Sequence, residues 1–247
     1  MQELWFSIFD FSGNYKGAEP AFIDHEGLDW AKEIGANADV IKKEFDAYFA
    51  AHDLQPYFNE GIVSRKKTWK TVALKTWSVE LYKNQKFFPV ITVLLNKYPQ
   101  IISASFNLLD PHSRIIPHCG DTNAIYRCHL GLEIPVSLPA CGFRVKEEKR
   151  SWQKGEWLVF MDAYDHEAWN DSDQPRFIFL MDVLRPGFYN RKQKVVSTVL
   201  TSLFLQKRAA TFTFLKRESL LLRKTLVGLL RPFASMSVFI SNAFRIY

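Results

Sequence analysis

The spacing of apolar positions changes character three times along the chain. In ADVIKKEFDAYFAA (38–51) Val40, Ile41, Phe45, Tyr48 and Phe49 recur at helical intervals, which predicts one amphipathic helix. WKTVALKTWSVELYK (69–83) carries short aromatic and β-branched runs suited to strands. FPVITVLLNKYP (88–99) predicts a helix that opens near Pro89 and stops before Pro99. Five short strand-like runs follow: ISASFNLLD, YRCHLGLEIPV, CGFRVK, EWLVFMD and RFIFLMDVL, parted by Pro, Gly, Asn and Asp. That density of short strands predicts an antiparallel sandwich or barrel, with function at its mouth. Beyond Pro186 the helical period returns. VVSTVLTSLFL (195–205) gathers Val195, Val196, Val199, Leu200, Leu203 and Phe204 on one face, and FLKRESLLLRKTLVGLLR (214–231) continues until Pro232 interrupts it.

These shifts divide the chain into an N-terminal helical or irregular segment (1–68), a β-rich domain (69–187) and a helical tail (188–247). At 247 residues with 47% hydrophobic content, one full core with a small appendage is expected and disorder is excluded. The N-terminal stretch lacks a basic leader, and no run of about eighteen apolar residues is uninterrupted, so neither a signal peptide nor a spanning helix is expected. Cys119, Cys128 and Cys141 are odd in number and form no CxxC pair, which points to reduced thiols and a cytoplasmic setting.

Charge alters the picture more than composition does. The chain carries a net +6, yet eleven Lys or Arg against the single acid Glu218 give 191–247 a charge of +10, leaving −4 elsewhere. The basicity is a property of the tail, so a nucleic-acid partner is not indicated. The tail has two readings: helices packed on the barrel with solvated basic faces, or a peripheral membrane contact through 191–247 at the inner face of a membrane.

Candidate chemistry gathers on His118, Arg127, His129, His166 and Arg176, polar residues where the sheet pattern otherwise puts apolar or turn residues. Arg127 and His129 are two apart on a strand, so both emerge on one face. A core face that takes an arginine and a histidine must supply an anion or leave charge unpaired. His118 and His166 lie 48 residues apart, each at a strand edge, and barrel closure could join them as an Fe(II) site, imidazole suiting iron and zinc alike. Taken singly, each histidine also fits a satisfied core or surface role, and Arg176 a surface strand. Together, the two arginines and His129 facing an iron suit a dicarboxylate that chelates the metal at one end.

HCGDTNAIYRCHLGLEIP, followed by SWQKGEWLVFMDAYDHEAWNDSDQPRFIFLMDVLRP, resembles the aspartyl/asparaginyl β-hydroxylase family of 2-oxoglutarate-dependent oxygenases, related to lipid A 2-hydroxylases. The likeness spans about 69–187. It implies a mainly β fold, a double-stranded β-helix or cupin-like jelly roll, with a flanking N-terminal helix and a helical C-terminal extension. It also implies Fe(II) held by His118 and His166, and 2-oxoglutarate held by Arg176 at its distal carboxylate and by Arg127 and His129 beside the metal. Asn107 takes the place of a serine that helps hold the distal carboxylate. O₂ would then hydroxylate an unactivated C–H bond of a peptide, amino acid or lipid acyl group, with release of succinate and CO₂. A non-catalytic relative that only binds 2-oxoglutarate is the alternative.

Gly120 stands where many such oxygenases carry an acidic ligand, and Asp121, one place on, is expected to face away from the metal. The glycine leans toward the peptide-modifying branch and the basic tail toward a lipid. Around this core, Trp152, Gly155 and Trp157 fit a turn between strands; Asp162 and Asp165 fit either a shell around His166 or solvated loop acids; Trp169 and Asn170 are candidates for substrate contact.

Overall fold

The computed structural model describes residues 3–10, 15–211 and 220–247. Its strands are β1 (Gln55–Pro56), β2 (Trp69–Thr76), β3 (Val79–Glu80), β4 (Ile101–Leu109), β5 (Ser113–His118), β6 (Ile125–Glu133), β7 (Cys141–Val145), β8 (Glu148–Arg150), β9 (Trp157–Phe160), β10 (His166–Asn170) and β11 (Arg176–Leu184). They form two antiparallel sheets. The larger has the order β1-β2-β4-β11-β6-β9 with β3 on β2, and the smaller β5-β10-β7-β8. From β4 onward, successive strands alternate between the sheets, apart from the β7–β8 hairpin within the smaller one, in the order of a double-stranded β-helix, the expected jelly roll.

Strand alternation gives the larger sheet two unlike faces. Its outer face carries Val72, Phe106, Cys128, Phe179 and Met181, all buried under helices. Those helices are α1 (Asp29–Ala36), α2 (Ala38–Ala51) and α4 (Pro89–Lys97), with the short α3 (Tyr82–Gln85) between. Phe106 is the hub, its ring centroid 4.9 Å from Phe45, 4.7 Å from Phe88 and 4.9 Å from Phe179. Burial of such a side chain contributes roughly 1.5–3 kcal/mol. The expected single N-terminal helix is a pair: α1 escaped the periodicity because it is eight residues long, contains Gly35 and has no side-chain cap. α4 opens on Pro89 as expected, and the Glu44 carboxylate of α2 accepts from its free Val90 and Ile91 amides at 2.6 and 3.3 Å.

The tail folds back as α5 (Lys192–Thr211) and α6 (Leu220–Ala243). Val195, Val196, Val199 and Val227 pack on Phe6, Ile102, Leu184 and Phe188, so one face of the tail belongs to the core. Part of the expected 214–231 helix lies outside the described residues, and the break expected at Pro232 does not occur, for α6 runs through it. A proline within a helix removes one ladder hydrogen bond, here the one to the carbonyl of Gly228, and the flanking turns carry the helix on. By length and composition α6 could cross a membrane, against the expectation of no spanning helix. It packs along α5. Its Asn242 also fastens the β2–β3 turn, donating to Ser78 O (2.8 Å) and accepting from Glu80 N (2.9 Å). That turn holds Trp77 and Ser78 at φ +43° and +64°, a left-handed conformation glycine or asparagine would adopt more readily.

Candidate active site

The inner faces of the two sheets flank a pocket of about 30 Å³ lined by His118, His129, His166, Arg127, Arg176 and Asn107 among others, so all six sequence candidates meet there. His118 ends β5 and His166 begins β10, and the antiparallel register sets them directly opposite. Their ring centroids are 4.3 Å apart. His118 Nδ1 lies 2.8 Å from Ile116 O and His166 Nδ1 2.8 Å from Tyr164 O. A carbonyl only accepts, so each Nδ1 carries the proton and each Nε2 keeps a lone pair. Burial holds both imidazoles below their ordinary pKa, His166 well below it, with the neighbouring ring and Arg127 adding to the effect. Two neutral imidazoles with fixed tautomers, side by side, could each offer Nε2 to a divalent metal, though the described residues contain no cluster of three or more such ligands.

Gly120 bears on the missing acid. A Cβ there would fall 1.8 Å from Asp162 Oδ2, so the Asp162 carboxyl already fills the space a side chain at 120 would take. Its Oδ1 lies 3.6 Å from His166 Nε2 and 2.7 Å from Arg127 Nη1, and burial pushes its pKa to about 7. Gly120→Ala is therefore expected to cost roughly 1–3 kcal/mol or more through overpacking, read as a fall in Tm and a weakened metal-induced rise in Tm. Asp121 lies outside the histidine pocket, as expected, in a neighbouring cleft where burial pushes its pKa to about 6. The Asp165 carboxylate pairs with Arg144 at 2.8 Å.

The anion-binding candidates differ among themselves. Arg176 is 1% exposed and no carboxylate reaches it among the described residues; its Nε has no hydrogen-bond partner, and the guanidinium lies 4.4 Å over the Trp152 ring. Burial lowers its pKa to about 10. His129 Nδ1 accepts from Trp152 Nε1 at 3.3 Å, which places its proton on Nε2, another buried atom without a partner among the described residues. Arg127 shares the inner face with His129, as the alternation predicts, but its charge is already matched: Nε lies 2.8 Å from Asp182 Oδ1 and Nη1 reaches Asp162. Asn107 is also committed, accepting from Trp69 Nε1 (2.9 Å) and donating to Ser105 Oγ (2.9 Å). Trp169 Nε1 donates to Pro139 O, and Asn170 Nδ2 to Gln174 O, so both hold loops in place.

A family model described as aspartyl/asparaginyl beta-hydroxylase matches residues 35–186. The chain belongs to this family. An ornithine lipid ester-linked acyl 2-hydroxylase of Rhizobium tropici is 30% identical over 176 residues, covering 69% of this chain and 63% of that protein. The human aspartyl/asparaginyl beta-hydroxylase is 35% identical over 116 residues, covering 45% of this chain and 15% of that protein. The chain thus spans less than two thirds of the length of either relative. Among solved structures, a Pseudomonas putida prolyl-4-hydroxylase is similar at a TM-score of 0.40 and 15% identity, over 61% of this chain and 88% of that one. Trp152, read from the sequence as a turn residue, is a neighbour of the candidate residues that sequence reasoning missed: its indole donates to His129 and lies under the Arg176 guanidinium. Its nearness to Gly155 masked that role.

Proposed function

We propose that this chain is an Fe(II)- and 2-oxoglutarate-dependent hydroxylase. The observation that carries the reading is the pairing, in one pocket, of two imidazoles whose Nε2 atoms keep their lone pairs and a buried arginine with no carboxylate beside it among the described residues. His118 and His166 would hold the iron, whose chemistry with O₂ couples oxidative cleavage of 2-oxoglutarate to succinate and CO₂ with conversion of a C–H bond to C–OH. Arg176 would take the distal carboxylate, gaining the anion its burial demands. The His129 Nε2 proton would donate to the carboxylate nearer the metal. Arg127 would hold Asp162 in place rather than bind cosubstrate itself. Burial raises the pKa of the Asp162 carboxyl against the pull of Arg127, so this group could hold a proton beside His166. Buried aromatic walls, Phe143 and Phe160, exclude water from this space.

The test is iron-dependent succinate release from 2-oxoglutarate by the full chain. Tight 2-oxoglutarate binding without O₂-dependent turnover, across peptide and lipid pools, would instead make it a binding relative.

A second reading concerns the tail, which we propose lies on an anionic lipid surface. Leu229, Phe233 and Met236 share one face of α6 and are 64%, 73% and 57% exposed, on a segment of charge +10. Leu229→Glu with Phe233→Glu removes two side chains worth roughly 1.5–3 kcal/mol each in lipid, so co-sedimentation with phosphatidylglycerol vesicles should fall at least about tenfold while Tm holds. Unchanged sedimentation refutes the contact.

A further inference from the structure

The histidine pocket does not end at Arg127. A second cleft, about 240 Å³, shares Trp69, Asn107, Arg127 and Leu180 with it and continues along the inner face of the larger sheet to Trp77 and to Leu203 of α5. Arg176 lies at the opposite end of the same face. Arg127 pairs across β11 with Asp182, six positions beyond Arg176 and hence roughly 20 Å along the strand. The cosubstrate arginine and the second cleft therefore flank the histidines from two sides.

The floor of this cleft is made of Thr71, Ala73, Ser103 and Ser105, small residues that leave a trough. Several of its polar groups are engaged within the protein. Thr71 Oγ1 donates to Phe106 O at 3.0 Å, Ser103 Oγ accepts from Trp77 N at 3.1 Å, and Ser105 Oγ accepts from Asn107 Nδ2 at 2.9 Å. Lys75 Nζ is 2.9 Å from the Glu80 carboxylate, and Arg127 is held by Asp162 and Asp182. The backbone beneath is paired in the ladders of β2, β4 and β11. A peptide laid here would bring one N–H and one C=O per residue to a surface where many donors and acceptors are engaged within the protein, so few partners remain beyond the Ser103 and Ser105 hydroxyls and the Asp121 carboxyl. A methylene chain needs only room and apolar contact, which Tyr57, Trp69, Trp77, Leu180 and Leu203 supply.

The cleft meets the tail at its far end. Leu203 borders it, while Leu200 and Phe204, neighbours on α5, line the next cavity, shared with Phe233 of α6. The exposed apolar ridge of α6 and the positive charge of the tail thus adjoin the outer end of the trough, and that charge complements an anionic bilayer.

We propose that this trough receives the acyl chain of a membrane lipid, drawn from an anionic surface beneath α6, past Leu203 and along Ala73 and Ser105 to the histidine pair. The proposal rests on the hydroxylase reading of the site and names its substrate class.

The full chain is mixed with phosphatidylglycerol vesicles containing a phospholipid whose acyl chain bears a diazirine, irradiated and digested for mass spectrometry. Labels are expected on peptides containing residues 71–77, 103–107 and 203, and Ala73→Phe, which fills the trough, should lower their yield at least tenfold while labels on α6 persist. A cooperative thermal transition and a retained rise in Tm with Mn(II) establish that this variant is folded. Labels confined to α6, or equal trough labelling in Ala73→Phe, overturn the proposal, as does a gain of one oxygen on peptides but never on lipid in a turnover assay. Trough labelling without any succinate release would uphold the acyl-chain site and refute the hydroxylase reading.

Discussion

Arg176→Met should lose 2-oxoglutarate and gain stability at once. In the free protein the guanidinium is buried with only the Trp152 face and no carboxylate beside it among the described residues. Such a charge costs several kcal/mol to bury, and replacing it with an apolar side chain of similar length relieves that cost. The ligand-free Tm is therefore expected to rise by about 3–8 °C, taking a gain of 1–2 kcal/mol in a chain of this size. The same change removes the anion's partner. Loss of a buried, charge-assisted contact is worth about 3 kcal/mol or more, so the Kd for 2-oxoglutarate should weaken at least about a hundredfold. Calorimetric titration and thermal melts read the two effects separately. An unchanged affinity would show that the cosubstrate does not sit at Arg176.

His118→Ala or His166→Ala should each lower succinate release by roughly a thousandfold or more, about 4 kcal/mol of lost barrier reduction. With two protein ligands in the site, removing either leaves a single imidazole. A rise in Tm with Mn(II) is expected for the wild type and should vanish in both variants, since it would scale with metal affinity for the folded state. Asp162→Asn offers a contrast, because it keeps the volume above Gly120 and both histidines; metal binding should survive it better than either alanine substitution. Wild-type turnover in both histidine variants would refute the site.

The residues that the sequence brought together did so through local rules. Arg127 and His129 share a face because strands alternate, and the strand-like runs from β4 to β11 were visible as short apolar stretches between turn residues. Long-range neighbours were not visible. Arg127 looked like a free cation because Asp182 faces it from β11, across a ladder whose register no single segment encodes. Asp162 could be read as a solvated loop acid because its place above Gly120 depends on how the segment after β9 returns to the end of β5. Trp152 passed for a turn residue because its partners, His129 and Arg176, come from two other strands. α6 outran its predicted end because proline weakens a helix by one hydrogen bond, and tertiary packing decides whether that suffices.

The two histidines stand opposite each other on antiparallel strands whose sequence positions are 48 apart. A slip of one residue between β5 and β10 would turn one ring out of the pocket and leave the other without its mate. Metal affinity is thus a gauge of strand registry. During refolding, the appearance of Mn(II) binding should mark the moment the smaller sheet locks, a step that secondary-structure signals alone would not resolve.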